Sequence, residues 1–314
     1  MYQQFFLLFA IIFTGYILRK IDFIGEEMDD GLNRFICYFA FPCLLVQKIG
    51  NLEMEGLTRE FMTMFFWSLV MFALYGVLSY LYAKVRRFPP RAANVAELSM
   101  AAPNNGFMGI PMSFIFFGEE GLFLMMAHNV VLNIYFFTYS LATLRRNNEN
   151  KEKMSLKRAV KTVGDVLLNP NIVAIIIGFI IAYSGVPLDN LAGEYMNAMG
   201  DIATPMAMIY IGSTLAAGNF FDMFRNHIVW ESSMNKLIIF PLITLAISYF
   251  LPVSPLIKGI LVLGSSFPAG ATISMLAQQE KQNAELSSKI LFFTTMISMV
   301  TIPLTVKLIH MTVL

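Results

Sequence analysis

Two stretches of the 314-residue chain set prolines among amide, hydroxyl and small residues in the middle of apolar sequence. The first is Ala101-Ala102-Pro103-Asn104-Asn105-Gly106-Phe107-Met108-Gly109-Ile110-Pro111. The second is Gly264-Ser265-Ser266-Phe267-Pro268-Ala269-Gly270-Ala271-Thr272. Pro103 has no N–H to give the carbonyl of Ser99, and its ring clashes with that carbonyl. It also drives Ala102 out of helical geometry. Asn104, Asn105 and Gly106 suit caps and turns rather than helix interiors. Each break exposes a helix N-terminus with spare N–H donors and about half a positive charge. Two such ends meeting would favour an anion without a basic residue in either stretch. The central parts of both stretches are free of Lys and Arg, which points to one negative charge rather than two. Asn104 and Asn105 can cap a helix or donate an amide to a guest, and Gly106 and Gly270 let backbone approach it closely. The candidate binding residues are therefore Pro103, Asn104, Asn105, Gly106, Pro268, Ala269 and Gly270. Asn129 and Asn133, one helical turn apart, are candidates to line the same cavity, with interhelical hydrogen bonding an equal or better alternative.

Other polar residues suggest less chemistry. Asp201 is a weak candidate proton carrier, a solvated helix end being at least as good a reading. His128 is lone and reads as packed. Glu231, Asn235 and Lys236 read as a local ion pair near an interface. Cys37 and Cys43 offer neither a disulfide framework nor a zinc site. The sequence contains no Ser/His/Asp set, P-loop or H-E-x-x-H spacing, so neither an enzyme nor a cofactor or metal protein is expected.

The elements that must hold these residues are membrane helices. The chain is 57% apolar and 14% charged, against about 25% charged in soluble domains, and a net charge of +1 suggests no nucleic-acid partner. Ten spans are predicted at 4–19, 32–50, 62–84, 92–117, 120–144, 167–184, 196–217, 228–250, 256–279 and 285–309. With the N-terminus outside, 17 of the 22 Lys and Arg flank cytoplasmic loops, 4 lie outside, and Lys236 is within a span. That asymmetry predicts a multi-pass protein with both termini outward, and the short central loop and compact length favour an inner (plasma) membrane. Shifting the first half by 163 places Gly15 on Gly178 and Pro42 on Pro205. A shift of 165 places Pro103 on Pro268 and Glu120 on Glu285. Five spans per half force the copies into opposite orientation. The expected organisation is a five-helix repeat at 1–144, a cytoplasmic linker at 145–166 and a second repeat at 167–314. The broken spans are the fourth and ninth, and loosened backbone at membrane depth survives only where it is buried in protein or lines a wet cavity.

The run Pro103–Pro111 resembles the fourth-span motif of the auxin efflux carrier family, which includes plant PIN proteins and bacterial carriers proposed to move organic acids such as malate or malonate. Pro268-Ala269-Gly270, Ala277, Glu280 and Pro303 look like the family's ninth and tenth spans. Thr204-Pro205-Met206-Ala207 with Gly212 and Leu215 is similar to its seventh. The resemblance implies an all-α fold of two inverted five-helix repeats with crossed broken helices 4 and 9. It further implies a panel domain from spans 1, 2, 6 and 7 and a transport domain from spans 3–5 and 8–10 that slides as an elevator. In the plant members a carboxylate binds beside the crossing, and Asn104 occupies the place of a contributing asparagine. Phe61 to Ala83 lacks the acidic and basic pair of the plant third span, so polar support must come from elsewhere. The expectation is a secondary carrier of small organic carboxylates embedded in a bilayer, with a homodimer as the candidate assembly. The alternatives are a sodium-coupled symporter of the bile-acid type and a ligand sensor that does not transport.

Overall fold

A computed structural model of the protein describes residues 2–52, 57–146, 164, 168–185, 188–217 and 225–313. Of the expected linker at 145–166, only Arg145, Arg146 and Gly164 are among the described residues, so the linker reading falls largely outside them. The described chain is helical, with a single isolated extended pairing and no strand. Thr58–Val85, Asn105–Leu144, His227–Phe250 and Ala284–Thr312 are long and apolar enough to cross a membrane, and Pro170–Ser184 and Pro255–Ser266 are shorter apolar helices. The molecule is a multi-pass helical membrane protein.

The chain forms two compact units. Unit one comprises residues 1–61, 106–126 and 163–217. It holds α1 (Tyr2–Lys20), α2 (Glu26–Phe35) and α3 (Phe41–Gly50), the last two joined by a π-turn at Ile36–Ala40. Unit two comprises residues 62–105, 127–162 and 218–314. Most of α4 (Leu57–Val85) and all of α5 (Pro90–Ala101) belong to it, whereas α6 (Ile110–Tyr135) contributes to both units. A π-turn at Phe136–Ser140 leads from α6 to the short α7 (Leu141–Leu144). Unit one resumes with α8 (Pro170–Ser184), α9 (Leu191–Asp201) and α10 (Ala203–Ala217). Unit two continues with α11 (His227–Met234), a π-turn at Asn235–Ile239, α12 (Phe240–Phe250), α13 (Pro255–Ser266), α14 (Ala271–Gln279) and α15 (Ala284–Thr312).

Two glycine seams organise unit one. A Cβ on Gly15 would fall 2.1 Å from the Ile209 carbonyl oxygen, and one on Gly212 would fall 1.9 Å from that of Ile12. Glycine at both positions lets α1 and α10 touch through their backbones, as small residues do between membrane helices. Along α8, a Cβ on Gly178 would come within 2.8 Å of Ile49 on α3.

Residues Asn105–Leu144 are not one continuous rod. Gly118 has φ 68° and ψ −157°, a conformation glycine adopts without the Cβ penalty of other residues. The turn lies between the predicted span ends at 117 and 120. In unit two, α5 and α13 are each 12 residues long and each begin with proline at the first turn. There the missing N–H matters least. Pro90 and Pro255, and equally Ala101 and Ser266, stand 165 positions apart.

Candidate site at the crossing of two interrupted helices

Both proline stretches interrupt their helices. α5 ends at Ala101, Ala102 is extended at φ −94°, ψ 117°, and winding resumes as a π-turn at Asn105–Gly109. α13 ends at Ser266, Phe267 is extended at φ −68°, ψ 151°, and α14 starts after Gly270. The extended segments meet as an antiparallel pair, Pro103 opposite Ala269. The N–H of Asn104 donates to the carbonyl of Pro268 at 2.8 Å, and that of Gly270 donates to the carbonyl of Ala102 at 2.9 Å. These bonds satisfy backbone groups that the interruptions released, which at membrane depth is obligatory. Ala269 gives its N–H to the Thr294 hydroxyl of α15 at 3.1 Å. That hydroxyl donates onward to the Ile290 carbonyl at 2.7 Å. A Cβ on Gly270 would stand 3.1 Å from the Pro103 carbonyl oxygen and 3.2 Å from Phe136, so glycine permits the close approach.

Around this pair lies a buried polar set. Asn105 shares a 2.7 Å hydrogen bond with His128 Nδ1. His128 rests against Phe72 and faces Gly264, where a Cβ would stand 2.9 Å from the ring. Tyr75 bonds Thr244 at 2.5 Å and stacks on Phe240. Asn104, Asn105, His128, Ser265 and Lys236 are all buried.

Two arginines after α7 clasp the interrupted helices. Arg146 donates to both oxygens of the Glu97 carboxylate of α5, at 2.9 and 3.0 Å, and Tyr139 also donates to Glu97. The Glu97 hydrogen bonds raise the Arg146 guanidinium above its already high ordinary value. Arg145 binds both oxygens of Glu280, the residue that ends α14. Consecutive side chains thereby fix the first half of one interrupted helix and the far end of the other.

The predicted residues distribute unevenly. Pro103, Asn104, Asn105, Pro268, Ala269 and Gly270 come together in unit two. Gly106 follows directly in the chain and has open space where a Cβ would be. Asn133 spends its side-chain amide on the Asn129 carbonyl of its own helix at 2.8 Å. Asp201 ends α9 in unit one and is exposed. The reading of Glu231 and Lys236 as a local ion pair is corrected. Glu231 receives Arg86 at 2.5 and 2.7 Å and Tyr82 at 3.0 Å, whereas Lys236 is fully buried with no hydrogen-bond partner. Five positions put the two residues about 140° apart around a helix, on different faces. Thr294 and Tyr75 were not singled out from the sequence, where His128 reads only as packed. A separate apolar recess of about 340 Å³ in unit two, lined by Leu69, Val131, Tyr135 and neighbours, contains none of the break residues.

The chain is similar to known transporters. The model of the family described as membrane transport protein matches residues 1–306. An uncharacterized transporter of Methanothermobacter thermautotrophicus is 27% identical over 298 residues, covering 94% of each chain. One of Methanocaldococcus jannaschii is 23% identical over 304 residues, again 94% of each. A third, from Schizosaccharomyces pombe, is 27% identical over 107 residues, 34% of this chain and 23% of that one. With interrupted helices joined at Pro103 and Ala269 and a family match along nearly its whole length, the chain belongs to the membrane transport protein family, that of the auxin efflux carriers.

Proposed function

We propose that the protein is a secondary active transporter of small organic carboxylates, with the guest held at the helix crossing and moved by elevator-type alternating access. The observation that carries this reading is the paired backbone bridge between residues 102–104 and 268–270. It brings two unwound segments together inside apolar helices, where resuming helices offer N–H donors and positive dipole ends to an anion. Gly270, at the N-cap of α14, contributes no side-chain cap, so its first-turn donors are not consumed by one. Backbone breaks at such depth recur where carriers hold substrate.

In this reading the chain is two inverted five-helix repeats. The equal lengths and 165-residue spacing of α5 and α13 support that. So do the glycine seams, because Gly15 against Ile209 and Gly178 against Ile49 exchange roles under the 163-residue shift to within one turn. Spans 3–5 and 8–10 form the moving transport domain and spans 1, 2, 6 and 7 the panel. Both termini face outward from a plasma membrane.

The test is uptake of radiolabelled mono- and dicarboxylates into proteoliposomes by wild type, Asn104→Ala and Pro268→Ala. Flux in the wild type with loss in both variants, each still eluting as a folded species, is the expected result. Wild-type flux in both variants would overturn the assignment of the crossing. Binding without flux would favour a sensor, and flux only with sodium would favour a symporter.

A further inference from the structure

Lys236 occupies the second position of the π-turn Asn235–Ile239, fully buried, and its ammonium has no hydrogen-bond partner. That turn packs against α5, α13 and α15, so it adjoins the first halves of both interrupted helices. Lys236 lies within electrostatic reach of His128. His128 bonds Asn105 beside the crossing, and the Asn105 Oδ1 is likewise buried without a partner.

The described acidic residues of unit two are committed elsewhere. Among the described residues they are Glu97, Glu231, Glu280 and Glu285, and each is paired: with Arg146, Arg86, Arg145 and Lys289 respectively. Among the described residues one buried lysine is therefore left without a counter-ion, beside α5 and α13 and within reach of His128. A desolvated ammonium with neither counter-ion nor acceptor is among the least favourable arrangements a protein interior can hold. An anion from outside the described residues would be the partner that such an ammonium needs.

We infer that Lys236 is the fixed positive charge of the site, and that the missing partner is the carboxylate of the guest at the crossing. The inference rests on the carboxylate reading above and deepens it. The charge preference of the site then comes from a side chain on the α11–α12 span as well as from helix ends. Contact between ammonium and carboxylate is not required, because a charge in a water-poor interior acts over several ångströms with little screening.

Lys236→Met tests this in the purified full-length protein, by thermal unfolding without ligand and with acetate, benzoate or malonate as probes. Removing an uncompensated charge at nearly constant shape should raise the ligand-free midpoint by about 2–8 °C. Stabilisation of wild type by at least one carboxylate should weaken by roughly 10- to 100-fold in apparent affinity, as for loss of one charged interaction. Lys236→Arg should retain it within a few-fold. A lowered ligand-free midpoint in Lys236→Met would assign the lysine a merely structural role and overturn the inference. So would an unchanged carboxylate response, or no response of the wild type to any probe. Asn104→Ala separates the two claims. If it abolishes the response while Lys236→Met keeps it, only the inference about the lysine fails; if it keeps the response, the reading of the crossing fails.

Discussion

Replacing Thr294 by valine isolates one hydrogen bond behind the crossing. Thr294 and Ala269 are 0% and 1% exposed, so no solvent can take over when the hydroxyl is lost. Valine keeps the shape, and the Ile290 carbonyl loses only a supplementary donor from Thr294 Oγ1. The net effect is an orphaned N–H at Ala269, which costs about 1–3 kcal/mol. That is a factor of roughly 5 to 150 in any equilibrium that depends on the intact bridge. Thr294→Ser, which keeps the oxygen, should lose much less. Thermal unfolding in detergent and carboxylate flux in proteoliposomes should both separate the variants, with valine impaired and serine near wild type. A valine variant matching wild type in both assays would refute the claim that Ala269 depends on this hydroxyl.

Three further outcomes follow from the geometry. Gly212→Ala, with a Cβ 1.9 Å from the Ile12 carbonyl oxygen, should destabilise by about 3 kcal/mol, the upper part of the overpacking range. Size-exclusion recovery and melting of the purified variant would show it. Gly106→Ala, with open space around it, should stay within about 0.5 kcal/mol of wild-type stability yet reduce flux. Unchanged flux would rule out close approach of a guest to that backbone. Arg146→Gln should cost about 3–5 kcal/mol by stranding the buried Glu97 carboxylate. Glu97→Gln should cost only about 1–3 kcal/mol, since Arg146 is 37% exposed and can turn to water. Denaturation midpoints in the reverse order would contradict that asymmetry.

The interruptions were legible because Pro103 and Pro268 stand among small, amide and hydroxyl residues that also disfavour helix, whereas Pro303 stays inside α15. The turn at Gly118 was legible as well. The register of the crossing was not legible. That Pro103 faces Ala269, and that Thr294 takes the Ala269 N–H, depends on packing between segments far apart in sequence. Glu231 and Arg86 are 145 positions apart, so proximity in sequence pointed to Lys236 instead. His128 did prove to be packed against Phe72, but it also bonds Asn105. The absence of charge from Phe61 to Ala83 directs attention to other spans for polar support, and the buried Lys236 lies in one of them.

The bridge at the crossing is written entirely in main-chain atoms: two amides and two carbonyls. Its register therefore survives a change of side chain at position 269, or at 104, so long as the new residue tolerates extended geometry and residue 104 keeps its N–H. On the proposed reading, selectivity can be retuned by substitution around a junction whose scaffold stays put, so that one architecture serves guests of different shape.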